Sequence, residues 1–173
     1  MIRSNFDMAK KKGEIGETIV KALIEAKGYS VYQPTTQGAH QFDMLCIKDK
    51  KMAIALDVKT KARMNHYPAT GVNEQHFMEY KAFSEKHNMP FYIVFVDEGD
   101  GRIYGNSLEE LEKPQTIDGV SYPHIITNKW GKKIRIWPLC NMSEIATLDG
   151  DDAERLVKLS QRNHEYMPME AAP

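Results

Sequence analysis

The chain has 173 residues, 42% of them hydrophobic and 27% charged, the length and make-up of one globular domain able to bury a core without staples. No apolar run approaches the ~20 residues needed to span a bilayer, the first residues carry no secretory pattern, and Cys46 and Cys140 stand alone; a membrane role and a zinc knuckle are excluded, and a cytoplasmic setting is expected. The 23 Lys and Arg against 24 Asp and Glu neither require nor forbid nucleic acid, because phosphate binding depends on local patches rather than on the total.

Residues 13–27 carry Ile15, Ile19, Val20, Leu23 and Ile24 at helical spacing and are closed by Gly28, which predicts an amphipathic helix. Three β-like runs follow at 29–33, 42–47 and 52–60, the last two joined by the polar turn 48–51 and expected to pair as a hairpin. Residues 73–87 put Phe77, Tyr80 and Phe83 on one helical face and stop before Pro90. The run 91–96 is apolar, short and rich in β-formers, so it reads as a central buried strand. The order αβββαβ predicts an α/β fold with a mixed central sheet flanked by helices. Beyond residue 98 the pattern weakens. Residues 102–104 and 134–137 read as short edge strands and 149–161 as a final helix with an acidic first turn. The domain is expected to cover 1–163, with 164–173 as a frayed tail holding Pro168 and Pro173.

Chemistry concentrates in the third β-run. Side chains on a strand alternate between faces, so Ala53, Ala55, Asp57 and Lys59 share one face while Ile54, Leu56 and Val58 share the other. A carboxylate and an ammonium therefore project side by side next to small alanines. Asp43 lies in the partner strand of the predicted hairpin, where a cross-strand position brings its carboxylate beside Asp57. Two close carboxylates repel unless something positive separates them. Mg²⁺ suits that role, since it takes oxygen ligands and commonly uses one or two protein carboxylates together with phosphate and water. An ammonium next to the metal can stabilise charge developing on a phosphate or position the attacking water.

Phe42-Asp43 followed 14 positions later by Asp57-Val58-Lys59 resembles the signature of the PD-(D/E)XK nucleases. Phe42 stands in place of the usual proline, and Asp57 in place of the commoner glutamate. Upstream, Lys12-Gly13-Glu14-Ile15-Gly16-Glu17-Thr18-Ile19-Val20 and Lys27-Gly28-Tyr29-Ser30-Val31 resemble the first helix and strand of Holliday-junction resolvase-like nucleases, over roughly residues 13–96. The resemblance implies a restriction-endonuclease-like fold and a Mg²⁺-dependent DNA endonuclease, with Mn²⁺ able to substitute. In this reading Asp43 and Asp57 hold the metal, a helix glutamate supplements it, and Lys59 completes the catalytic set. By position that glutamate is Glu17, with Glu14 as the alternative. A homodimer is implied, since such enzymes cut paired bonds with two-fold symmetry. A restriction-type enzyme, an exonuclease or a non-catalytic DNA-binding or interaction module on the same fold are the alternatives.

Lys61 and Arg63 continue the Lys59 face and are candidate phosphate contacts, as is Lys12 at the end of the run Lys10-Lys11-Lys12; each is equally well a solvated charge. Gln75, at the head of the second helix, is a candidate polar neighbour of the site or a simple capping residue. The cluster Lys129, Lys132, Lys133 and Arg135 around Gly131 reads as a solvent-facing hairpin tip. The 6 histidines show no metal-ligand spacing, and His66, near a strand end, is the one worth testing. Asp149-Gly150-Asp151-Asp152 lacks the distal glutamate of a calcium loop and reads as a helix cap.

Overall fold

The computed structural model of the chain describes residues 2–35, 40–49, 52–64, 68–128 and 130–164, the side chains of 2–6, 157 and 159–164 excepted. Its first element, α1 (Ile2–Ala26), runs for 25 residues and begins well before the predicted position 13. The apolar spacing marks only the half of the helix that packs on a sheet, where Val20 and Ile24 are buried. Lys10, Lys11 and Lys12 consequently lie within the helix rather than ahead of it.

Strands β1 (Ser30–Tyr32), β2 (Met44–Lys48) and β3 (Met52–Lys61) follow. The predicted hairpin is present: β2 and β3 are antiparallel, with Met44 opposite Leu56 and Lys48 opposite Met52, while positions 50–51 of its turn lie outside the described residues. A strand without a sequence signal, β4 (Ala69–Asn73), then precedes α2 (Glu74–His87). The Asn73 side chain caps that helix by accepting from the Gln75 N–H, and Asn88 ends it in the left-handed conformation with φ 47°. The predicted central strand is β5 (Phe91–Asp97), followed by β6 (Arg102–Ser107) and a short helix, α3 (Leu108–Glu112). Next come β7 (Gln115–Ile117), β8 (Val120–Tyr122), β9 (His124–Thr127), β10 (Lys133–Pro138), β11 (Ser143–Thr147) and α4 (Gly150–His164). Asp149 Oδ1 accepts from the Asp152 N–H at 2.8 Å, so the acidic run does cap α4.

The main sheet has six strands in the order β1-β2-β3-β5-β6-β11. Only β3 and β5 are parallel; the other pairings are antiparallel. Two strands expected at edges are interior instead. β6 is paired on both sides, by β5 and β11, and β10 is the middle strand of a second sheet, β4-β10-β9. Edge position depends on which distant strand comes to pair, and residues 102–104 and 134–137 carry no local record of that.

One core lies between the main sheet and α1 with α4, joining Val20, Ile24, Leu56, Val58, Val94 and Leu156. The other lies on the opposite face of the sheet, where Ala55, Ile93 and Phe95 meet Phe77 and Tyr80 of α2 and Trp137 of β10. No helix among the described residues is long and apolar enough to cross a membrane.

Candidate active site on β2, β3 and α2

Strand alternation aims Asp57 and Lys59 at the α2 layer, since Ala55 of the same face packs with Phe77 and Tyr80 while Leu56 and Val58 pack under α1. Carrying the β2–β3 register one step past Met44 and Leu56 sets Asp43 opposite Asp57. Directly opposed residues of an antiparallel pair point to the same side. Asp43 is fixed there twice. Its N–H donates to Leu56 O at 2.9 Å, and its Oδ2 accepts from the Val58 N–H at 2.7 Å. The side chain thus takes over a donor of β3 at the point where β2 stops.

Asp57 is 5% exposed. Lys59 Nζ donates to its Oδ1 at 2.9 Å and stands 2.7 Å from its Oδ2, the second contact without hydrogen-bond geometry. Oδ2 is therefore a buried carboxylate oxygen with no hydrogen bond, a costly condition for an ionised group unless a cation completes it. Burial, and after it the Asp57 charge, push the Asp43 carboxyl up to about 7 against the opposing pull of the Val58 N–H and Lys59. Both observations describe two buried carboxylates with a single ammonium, that of Lys59, between them.

Glu17 reaches the same neighbourhood from α1: burial raises its pKa first, the Asp57 charge second, and Lys59 pulls it down. Gly16 makes this approach possible, because a Cβ there would stand 1.8 Å from Thr60 Oγ1 on β3. A side chain at 16 would hold the helix off the strand and carry Glu17 away with it. Glu14, the alternative, faces outward beside Lys10.

Tyr80 is a member of the site that the pattern along α2 marked only as core. It is 4% exposed, its ring is 4.7 Å from that of Phe91 in a stacked pair, and Lys59 Nζ lies 6.0 Å from its centroid. Burial, then Asp57 and Asp43, drive its phenol far above the usual range, so its hydroxyl stays protonated beside the two acids. A buried tyrosine needs a partner for its O–H. That need is the signal in the sequence that could have set Tyr80 apart from simple packing.

The remaining predicted residues have protein partners. Lys61 Nζ donates to Gly71 O, tying the end of β3 to β4. Burial and the Lys59 charge lower its pKa to about 8, against the pull of Asp57. Arg63 Nε donates to Asp97 Oδ2 at 2.6 Å and its other nitrogen reaches Asp100, so the guanidinium serves as counter-ion to a fully buried aspartate. Lys12 is 8% exposed and holds both Glu98 oxygens at 3.0 and 2.8 Å, fastening α1 to the end of β5. Gln75 is on the solvent side of α2, donating to Glu79 Oε1 at 3.0 Å. His66 and Lys129 lie outside the described residues.

Among the described residues no three His, Cys, Asp or Glu side chains converge into a ready-made metal cage. Asp43 and Asp57 still fit a hard divalent cation, because Mg²⁺ ordinarily takes one or two protein carboxylates and fills its octahedron with water and phosphate. The unbonded Oδ2 of Asp57 and the electrostatic need at Asp43 are the features that match it.

No protein-family model and no curated protein matches the chain. Among solved structures it is similar to Hjc of Archaeoglobus fulgidus, a Holliday junction resolvase from an archaeal hyperthermophile, at 12% identity and a TM-score of 0.54, covering 78% of this chain and 93% of that one. It is also matched to D212, a nuclease from a fusselovirus, at 10% identity and a TM-score of 0.43, covering 87% of this chain and 91% of the other. The likeness to Hjc is one of fold: this mixed sheet flanked by helices is the restriction-endonuclease-like fold.

Proposed function

We propose that the chain is a divalent-metal-dependent DNA endonuclease hydrolysing phosphodiester bonds, with branched DNA as its first-choice substrate. The observation that carries the reading is the Asp43 carboxylate, bonded to the Val58 N–H and raised by the charge of Asp57, together with the Lys59 ammonium against Asp57. The shared fold with a Holliday junction resolvase supports it but does not by itself fix a function.

In this reading Asp43 and Asp57 hold Mg²⁺, or Mn²⁺ in its place, and Glu17 assists directly or through water. Bound there, the cation supplies Lewis-acid charge beside the scissile phosphate. Lys59 carries a donor that the substrate redirects. It now spends its proton on Asp57, and with a phosphate in place it donates to a non-bridging oxygen or orients the attacking water. Tyr80, buried on the α2 side, keeps a protonated hydroxyl beside Asp57. A homodimer belongs to the same proposal, as does a cytoplasmic setting.

The test is cleavage of labelled four-way junctions, linear duplex and single strands with Mg²⁺ or Mn²⁺. Asp57→Asn and Lys59→Ala are each expected to lower the rate by about 10²–10³-fold while circular dichroism shows the fold retained. Cleavage by either variant at the wild-type rate overturns the assignment, and preference for linear duplex over junctions replaces the resolvase reading with a restriction-type one.

A further inference from the structure

The tip of the β9–β10 hairpin takes no part in the site described above, yet it is built with care. Its residues 128–133, Asn-Lys-Trp-Gly-Lys-Lys, carry no acid. Trp130 is 71% exposed, far more than any other large hydrophobic residue among those described, and Lys132 and Lys133 are exposed beside it. The turn that presents them is fixed. Asn128 Oδ1 accepts from the N–H groups of both Trp130 and Lys132 at 3.0 Å, the Asn128 N–H donates to Lys132 O at 2.9 Å, and the Gly131 N–H donates to Asn128 O at 2.9 Å. Gly131 takes a φ of 75°, the left-handed backbone that glycine adopts without strain.

The root of the hairpin is clamped to α2, the helix that Asp57 and Lys59 face. Arg135 makes a two-pronged pair with Glu74 at 2.7 and 2.6 Å, and its guanidinium lies 4.4 Å over the Phe77 ring. Glu74 and Tyr80 are six residues apart on α2, about 9 Å along the axis. From Arg135 to Trp130 the strand reaches at most about 17 Å. With the side-chain spans added, these steps are of the order of one turn of duplex, about 34 Å. Lys132 and Lys133 also line a cleft with Asn73, Glu74 and Gln75 at the start of α2.

A rigidly presented indole flanked by lysines, with no carboxylate among them, matches the chemistry of unpaired bases on a phosphate backbone. The aromatic face stacks a base of any sequence while the ammonium groups take the phosphates. We propose that this hairpin tip binds single-stranded DNA, with Trp130 stacking on an unpaired base and Lys132 and Lys133 contacting the neighbouring phosphates. Resting on the nuclease reading, it narrows the substrate to DNA with unpaired bases close to the scissile bond, as at a branch point or flap.

The experiment is titration of the full chain with a short oligothymidylate in the presence of EDTA, read by tryptophan fluorescence and by anisotropy of a labelled strand. Trp137, the second of the 2 tryptophans, is fully buried, so quenching by added bases reports Trp130. Quenching is expected in the wild type. Trp130→Ala should abolish it and weaken binding about tenfold, within the range of one lost stacking contact, and Trp130→Tyr should keep most of the affinity. Lys132→Ala with Lys133→Ala should flatten the log–log salt dependence by about 1.4. Unquenched fluorescence, wild-type affinity in Trp130→Ala, or binding confined to unbroken duplex overturns the proposal. Because hydrolysis is silenced by EDTA, a chain that binds the strand but cuts no DNA with Mg²⁺ or Mn²⁺ refutes the nuclease reading alone.

Discussion

Asp43 is held protonated to about pH 7 chiefly by burial and secondarily by Asp57, and this has a consequence for stability. Its folded pKa lies above the value of 3.8 expected for an exposed aspartate, so between about pH 4 and pH 7 the folded chain keeps a proton that the unfolded chain releases. Stability then falls as pH rises through that window, and the full cost is present above it. Asp43→Asn keeps an acceptor for the Val58 N–H and removes the cost. The metal-free variant is expected to melt at a higher temperature than wild type above about pH 7, the difference shrinking to nothing below about pH 4. The same proton competes with a cation, so stabilisation of the wild type by Mg²⁺ should be larger at about pH 8 than at about pH 6 and absent from Asp43→Asn. A melting difference constant across pH would show that Asp43 titrates in the ordinary carboxylate range.

At the level of elements, the site depends on how closely α1 rests on β3, and a glycine inside a helix is the device that sets this. Gly16→Ala places a methyl 1.8 Å from Thr60 Oγ1 and 3.0 Å from Thr60 Cβ, a clash expected to cost about 1–3 kcal/mol of stability and to lower cleavage by displacing Glu17. Thr60→Ala removes the worst contact, so the double variant should recover part of both losses; if Gly16→Ala melts and cuts as wild type, the close approach is not what positions Glu17. Sequence reading saw this glycine only as part of a family resemblance. It located α1 and α2 from periodic apolar faces and β2, β3 and β5 from short runs of β-formers, and from strand alternation alone it set Asp57 and Lys59 side by side. Asp43 followed once the hairpin register was assumed. What escaped it is non-local. β4, Ala-Thr-Gly-Val-Asn, has no alternation to read, and its pairing with β10 requires Gly71, where a Cβ would meet Arg135 O at 2.4 Å. Lys12 looked like one of three solvated lysines because its partner, Glu98, is 86 positions away.

At the scale of the whole molecule, a balance of 23 basic against 24 acidic residues and the engagement of Lys12, Lys59, Arg63 and Arg135 in ion pairs leave no surplus of cations to steer DNA generally. In the proposed enzyme, recognition must then come from the carboxylate site and from a few local contacts. The described residues also contain one constellation of Asp43, Asp57 and Lys59, which under the proposed function would serve one scissile phosphate. A four-way junction is resolved by two cuts placed symmetrically, and two copies related by a two-fold axis supply them. Light scattering of the proposed enzyme should therefore give twice the chain mass, with or without junction DNA bound. Mixing provides the sharper measurement. When Asp57→Asn chains are titrated into wild type and exchanged, a dimer loses paired cutting as the square of the active fraction and accumulates singly nicked junctions, whereas independent monomers lose it linearly. A strict monomer on and off DNA, or a linear loss, would remove the resolvase and restriction-type readings together and leave a nuclease that cuts one strand at a time.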